Sequence, residues 1–129
     1  MIFDFANNVS NVASASVVAG TGSVSGTAIQ GGNYVVNLTG VTNAQRLTVK
    51  LTNITDSANT LPSLNATMGV LLGDTTGDGS VNSADISQTK SRSGQTISAS
   101  NFRSDVTVDG NLNSADISLV KSKSGTALP

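Results

Sequence analysis

The chain has 129 residues, a formal net charge of -1, and neither Cys nor His. That length suits one ordinary domain or two small ones. The absent residue types exclude disulfides, Cys or His zinc sites and Ser-His or Cys-His nucleophile pairs, and a charge near zero offers no basic field for nucleic acid.

Catalysis would have to rest on Asp, Lys, Arg, Tyr or Ser alone, so the chain reads as a non-enzyme. Roughly a quarter of it is Ser or Thr, a composition that leans towards β structure with polar turns, as in many bacterial surface proteins.

From the N-terminus, six segments carry alternating or β-branched residues: 2–5, 13–19, 22–29, 33–41, 46–54 and 65–72. Gly20-Thr21-Gly22, Gly31-Gly32-Asn33 and Asp56-Ser57-Ala58-Asn59 punctuate them. Tyr34-Val35-Val36-Asn37-Leu38 and Leu47-Thr48-Val49-Lys50-Leu51 alternate with period two. This predicts an all-β module over 1–72, an immunoglobulin-like sandwich. It opens in an apparent strand, Ile2-Phe3-Asp4-Phe5, which suggests a truncated domain or an edge completed by another chain. Phe3 and Phe5 read as core. No charged region followed by an apolar stretch marks a signal peptide. The longest apolar run, Met68-Gly69-Val70-Leu71-Leu72, is the size of a strand and too short to span a bilayer, so no membrane insertion is expected. The boundary at Leu72-Gly73 is short, as for two modules that abut.

From residue 73 the pattern changes. All eight acidic residues are Asp, and the spacing Asp74, Asp78, Asp85 recurs as Asp105, Asp109, Asp116, offset by 31. The first copy reads Asp74-Thr75-Thr76-Gly77-Asp78-Gly79-Ser80-Val81-Asn82-Ser83-Ala84-Asp85. The second reads Asp105-Val106-Thr107-Val108-Asp109-Gly110-Asn111-Leu112-Asn113-Ser114-Ala115-Asp116. Each runs on through a helical segment to Lys90 or Lys121, then Arg92 or Lys123, then Ser-Gly.

Calcium takes six to eight oxygens, and a twelve-residue loop supplies them from positions 1, 3, 5, 7, 9 and 12. In this chain those positions are Asp74, Thr76, Asp78, Ser80, Asn82 and Asp85, and again Asp105, Thr107, Asp109, Asn111, Asn113 and Asp116. Position 7 offers a backbone carbonyl, and position 9 acts through water. Gly79 and Gly110 hold the sharp turn at position 6. Val81 and Leu112, at position 8, should pack between the loops. Two Ca2+ ions are expected, with folding coupled to them because three carboxylates per loop repel one another without metal. The alternative reading of the same residues is a pair of Asp/Gly/Asn turns that cap helices. Between the repeats, a short helix around 99–104 is expected, capped by Ser98 or Ser100, with Phe102 as the core anchor.

A calcium loop followed by one helix, doubled, resembles the type I dockerin family over residues 73–126. The resemblance implies a non-catalytic extracellular or bacterial cell-surface module that binds a cohesin-like protein domain. It also implies that Ser83, Ala84 and Lys90, with Ser114, Ala115 and Lys121, face that partner in two orientations related by the internal two-fold. Helix one presents Gln88 and Thr89 where helix two presents Leu119 and Val120, which either favours one face or simply adds to the core. The fold class expected is therefore mixed: an all-β immunoglobulin-like sandwich over 1–72 and an α dockerin-like pair of loop–helix repeats over 73–129. Three functions follow: a calcium-dependent docking module, a calcium-stabilised structural module without a cohesin, or an accessory adhesive or carbohydrate-binding fragment of a larger enzyme.

Overall fold

A computed structural model describes residues 1–129, which divide into two compact units, Met1–Met68 and Gly69–Pro129. The chain runs through six strands before the two helices: β1 (Ile2–Phe3), β2 (Val9–Ala19), β3 (Ser23–Gln30), β4 (Asn33–Thr39), β5 (Gln45–Asp56) and β6 (Thr60–Val70). They form two three-stranded sheets, ordered β1-β4-β3 and β2-β5-β6. Every expected strand is present, with shifted limits; β2 begins earlier than its sequence signal, and β1 is only two residues long.

The alternating segments bury one face, as period two requires. In β4, Tyr34 and Val36 are buried; in β5, Leu47, Val49 and Leu51 are fully buried. Phe3 and Val9 complete this core with Ile54. The step from Leu51 to Ile54 breaks the alternation by one residue. Opposite it, β2 makes the same slip between Val12 and Ala15, while the pairs Ala15–Leu51 and Val12–Ile54 keep one register. Asn53, with φ of 46°, absorbs the slip on β5. A matched slip on both strands preserves the ladder and returns apolar side chains to the core. At the β5–β6 turn, the Asp56 carboxylate accepts hydrogen bonds from the Ala58 and Asn59 amides at 2.8 and 2.7 Å. Those bonds hold its pKa below the ordinary carboxylate value.

The second unit contains α1 (Ser83–Arg92), α2 (Ser114–Lys123) and a single 3-10 turn at Phe102–Ser104. Val81, Leu112 and Val120 are its buried apolar side chains. Three aliphatic groups contribute roughly 1.5–3 kcal/mol each, set against about 1–2 kcal/mol of backbone entropy for every ordered residue. Such a core is thin. The unit relies on hydrogen bonding around its loops, and the other buried side chains are polar: Thr75, Asp85, Thr89, Asn101, Ser104 and Asp116.

The linker corrects two expectations. Phe102 is 56 % exposed and anchors nothing. The buried residue is its neighbour Asn101, whose carbonyl oxygen accepts from the Ser98 amide at 2.7 Å and whose amide group donates to the Thr96 carbonyl at 3.0 Å. A polar side chain that satisfies the backbone of a tight turn displaces the aromatic ring from the inside. The expected helix over 99–104 shrinks to that one turn, and Ser98 serves it through its backbone carbonyl, which accepts from Asn101 and Phe102, while its hydroxyl meets that of Ser100.

Candidate metal centre

The two loop–helix repeats fold alike. Asn82 and Asn113 are the N-caps of α1 and α2, with φ and ψ of -146° and -165° in one and -148° and -167° in the other. Each side-chain oxygen accepts from the amide two residues on, Ala84 or Ala115, at 2.7 Å. Asp85 and Asp116 return the favour and complete capping boxes by accepting from the Asn82 and Asn113 amides at 2.9 Å. Position 12 thus has a structural duty of its own: it fixes the start of the helix and ties it to the loop.

Within the first loop, amides curl around the first carboxylate. Asp74 accepts from Gly77 at 2.7 Å, Asp78 at 3.1 Å and Gly79 at 2.9 Å. Asp78 accepts from the Ser80 amide at 2.9 Å. Asp85, fully buried, accepts from the amide and the hydroxyl of Thr76 at 3.0 and 2.9 Å. The second loop repeats most of this. Asp105 accepts from Asp109 and Gly110, Asp109 from the Asn111 amide, and Asp116 from the amide and hydroxyl of Thr107. Gly79 and Gly110 have φ of 85° and 83°, the left-handed conformation that the position-6 turn requires.

Burial pushes the carboxyls of Asp85 and Asp116 up. The hydrogen bonds from the Asn82 and Thr76 amides and the Thr76 hydroxyl, and from Asn113 and Thr107 in the second repeat, outweigh it and hold both below the ordinary range. Both groups are therefore charged at neutral pH, as ligands to a hard cation must be.

The donor set fits such a cation. One oxygen each from Asp74, Asp78 and Asp85 lie within 4.8 Å of one another. Oxygens on opposite sides of a calcium ion, at about 2.3–2.6 Å each, stand roughly 5 Å apart, so all three can share one shell. Thr76, the Ser80 carbonyl and Asn82 line the same loop. Asp105, Asp109 and Asp116 do not converge as tightly. Thr107, Asn111 and Asn113 hold the matching places around them.

The positions expected to face a partner, Ser83, Ala84, Lys90, Ser114, Ala115 and Lys121, are all exposed. Val120 is core, and so is its counterpart Thr89, whose hydroxyl donates to the Asp85 carbonyl at 2.8 Å; Leu119 and Gln88 are half-buried. Gln88 has a task the sequence pattern did not disclose, since its side-chain amide donates to the Thr75 carbonyl at 2.6 Å and braces the first loop against α1. Its counterpart Leu119 cannot do this. The two repeats also clasp each other reciprocally. The Gly94 amide donates to the Leu112 carbonyl at 2.7 Å, and the Gly125 amide to the Val81 carbonyl at 2.8 Å. The position-8 residues, buried at the centre, are the hinge pins of that clasp.

Residues 72–123 match the family model of the dockerin type I domain. The C-terminal unit carries a type I dockerin domain. Dockerin domains are non-catalytic, calcium-dependent modules that bind cohesins, and they occur in secreted extracellular proteins. No curated protein and no solved structure matches the chain.

Proposed function

We propose that the dockerin domain binds two calcium ions and docks a cohesin-like partner, attaching or assembling an extracellular multidomain protein. The observation that supports this most is the doubled, identically capped loop–helix unit whose positions 10 and 11 and late-helix lysines stand free of its core. Asp74, Asp78 and Asp85 with Thr76, Ser80 and Asn82 would hold one ion, and Asp105, Asp109 and Asp116 with Thr107, Asn111 and Asn113 the other. Calcium supplies the positive charge that lets three carboxylates occupy one loop. The chain's own part is to fix those oxygens by backbone amides and to couple each loop to a helix through position 12. Ordering the loops in this way sets the angle at which Ser83, Ala84 and Lys90, or Ser114, Ala115 and Lys121, meet a partner.

In the same proposal the strands over 1–72 are an immunoglobulin-like spacer, and their two antiparallel sheets support that. The purely structural reading, calcium rigidifying this unit without a cohesin, draws on the capping boxes, which serve the fold whether or not a partner exists. An adhesive or carbohydrate-binding role draws little support, since Phe3 and Tyr34 lie in the core and leave only the half-buried Phe5 among the aromatics of this unit. Replacing Ser83 and Ser114 together by Asp should leave calcium affinity within about two-fold and abolish cohesin binding, since a buried interfacial charge without a partner costs several kcal/mol. Binding of the calcium-loaded chain to a panel of cohesins, with EDTA as control, reads this out. Undiminished binding by the double variant would move the recognition surface elsewhere.

A further inference from the structure

The two loops fold alike but differ locally, and the difference centres on position 4. That position is left-handed in both, with φ of 82° at Gly77 and 57° at Val108. Glycine adopts this conformation freely, whereas a β-branched residue is strained in it. Val108 is 84 % exposed, so no packing offsets the strain.

Three further observations point the same way. The Gly77 amide donates to Asp74 at 2.7 Å, whereas Asp105 is held from Asp109 and Gly110 at 3.2 and 3.1 Å with no such bond from Val108. The carboxylates converge to within 4.8 Å only in the first loop. That loop is also zipped to the C-terminal segment: Val81 donates to the Thr126 carbonyl at 2.8 Å, Leu128 to the Gly79 carbonyl at 2.9 Å, and Ser80 bridges Ala127. At the two-fold counterpart of this zipper, Gln95–Ile97 beside Gly110–Leu112, the matching backbone bonds are not formed and an open groove of about 420 Å³ lies between the segments. The first loop is thus held by more backbone hydrogen bonds than the second.

We propose that Val108 makes the second loop the weaker, later-filled calcium site, so that the α2 face (Ser114, Ala115, Lys121) is ordered in a separate step at higher calcium. This rests on the calcium-binding reading above. Ordering costs are subtracted directly from affinity, and a strained left-handed residue adds to them. The expected gap between the sites is about ten-fold, which corresponds to ~1.4 kcal/mol.

The test is calcium titration of the full chain by calorimetry, with the Gly79 and Gly110 amide resonances reporting each loop separately. In the unmodified chain the Gly79 signal should move first. Val108→Gly, on an exposed loop, should tighten the second site about ten-fold and bring the two signals together. Gly77→Val should weaken the first site by a similar factor; only the far end of Arg103 must swing aside to admit the new side chain. Two equal sites in the unmodified chain, or a second site indifferent to Val108→Gly, would overturn the role of Val108 while leaving the calcium reading intact. A chain that binds no calcium in either loop would remove the reading itself, and the inference with it.

Discussion

Replacing Asp85 and Asp116 together by Ala should leave the C-terminal unit unfolded at any calcium concentration. Each carboxylate does two jobs. It closes a capping box, worth about 1 kcal/mol, and it accepts from partly buried amides, those of Thr76 and Asn82 in one repeat and of Thr107 and Asn113 in the other. A buried donor left without an acceptor costs roughly 1–3 kcal/mol, and a partly buried one falls towards the low end of that range. Two repeats double the loss. The total approaches the whole stability of a small domain, about 5 kcal/mol at the low end, and the same change deletes from each loop a carboxylate proposed to hold calcium, so added calcium should not restore what is lost. Loss of the helical circular dichroism signal, unrecovered by millimolar calcium, is the expected result. Helices that persist in the double variant would show that the caps are dispensable.

Leu112→Ala should be the most damaging single apolar change in this unit, costing about 2–5 kcal/mol. Leu112 is 4 % exposed, and its carbonyl holds the Gly94 amide that ties the first repeat to the second. With so few buried aliphatic side chains around it, the cavity has little chance of being filled from elsewhere. Urea denaturation of the calcium-loaded chain should show a midpoint shift for the C-terminal unit, while the β sheets, whose core is Leu47, Val49 and Leu51, keep theirs. A shift common to both units would instead mean that they unfold as one.

Much of this architecture was legible because it rests on local rules. Period-two alternation at Tyr34–Leu38 and Leu47–Leu51 marks strands since one face must leave water. The 31-residue offset of six Asp, with Gly at position 6 and an apolar residue at position 8, marks a doubled loop because each position answers a separate geometric demand. What the sequence hid depends on tertiary context. Nothing in Ser98–Ser104 shows that Asn101 goes inside and Phe102 stays out; the choice is made by backbone groups in a tight turn that need an acceptor and a donor at one point. Gln88 looks like an ordinary surface glutamine until the Thr75 carbonyl is placed opposite it. The slip between Leu51 and Ile54 requires its partner slip on β2 to be visible at all. Val108 was in plain view, facing Gly77 across the repeat, but a valine carries no mark of the φ it must adopt.

The most direct test of the calcium-dependent docking account is titration of calcium into the EDTA-stripped chain, followed by calorimetry and far-ultraviolet circular dichroism. Saturation near two ions per chain with a gain in helical signal is the predicted result. No heat of binding, or helices already complete without the ion, would contradict it and leave the Asp repeats as turns and caps.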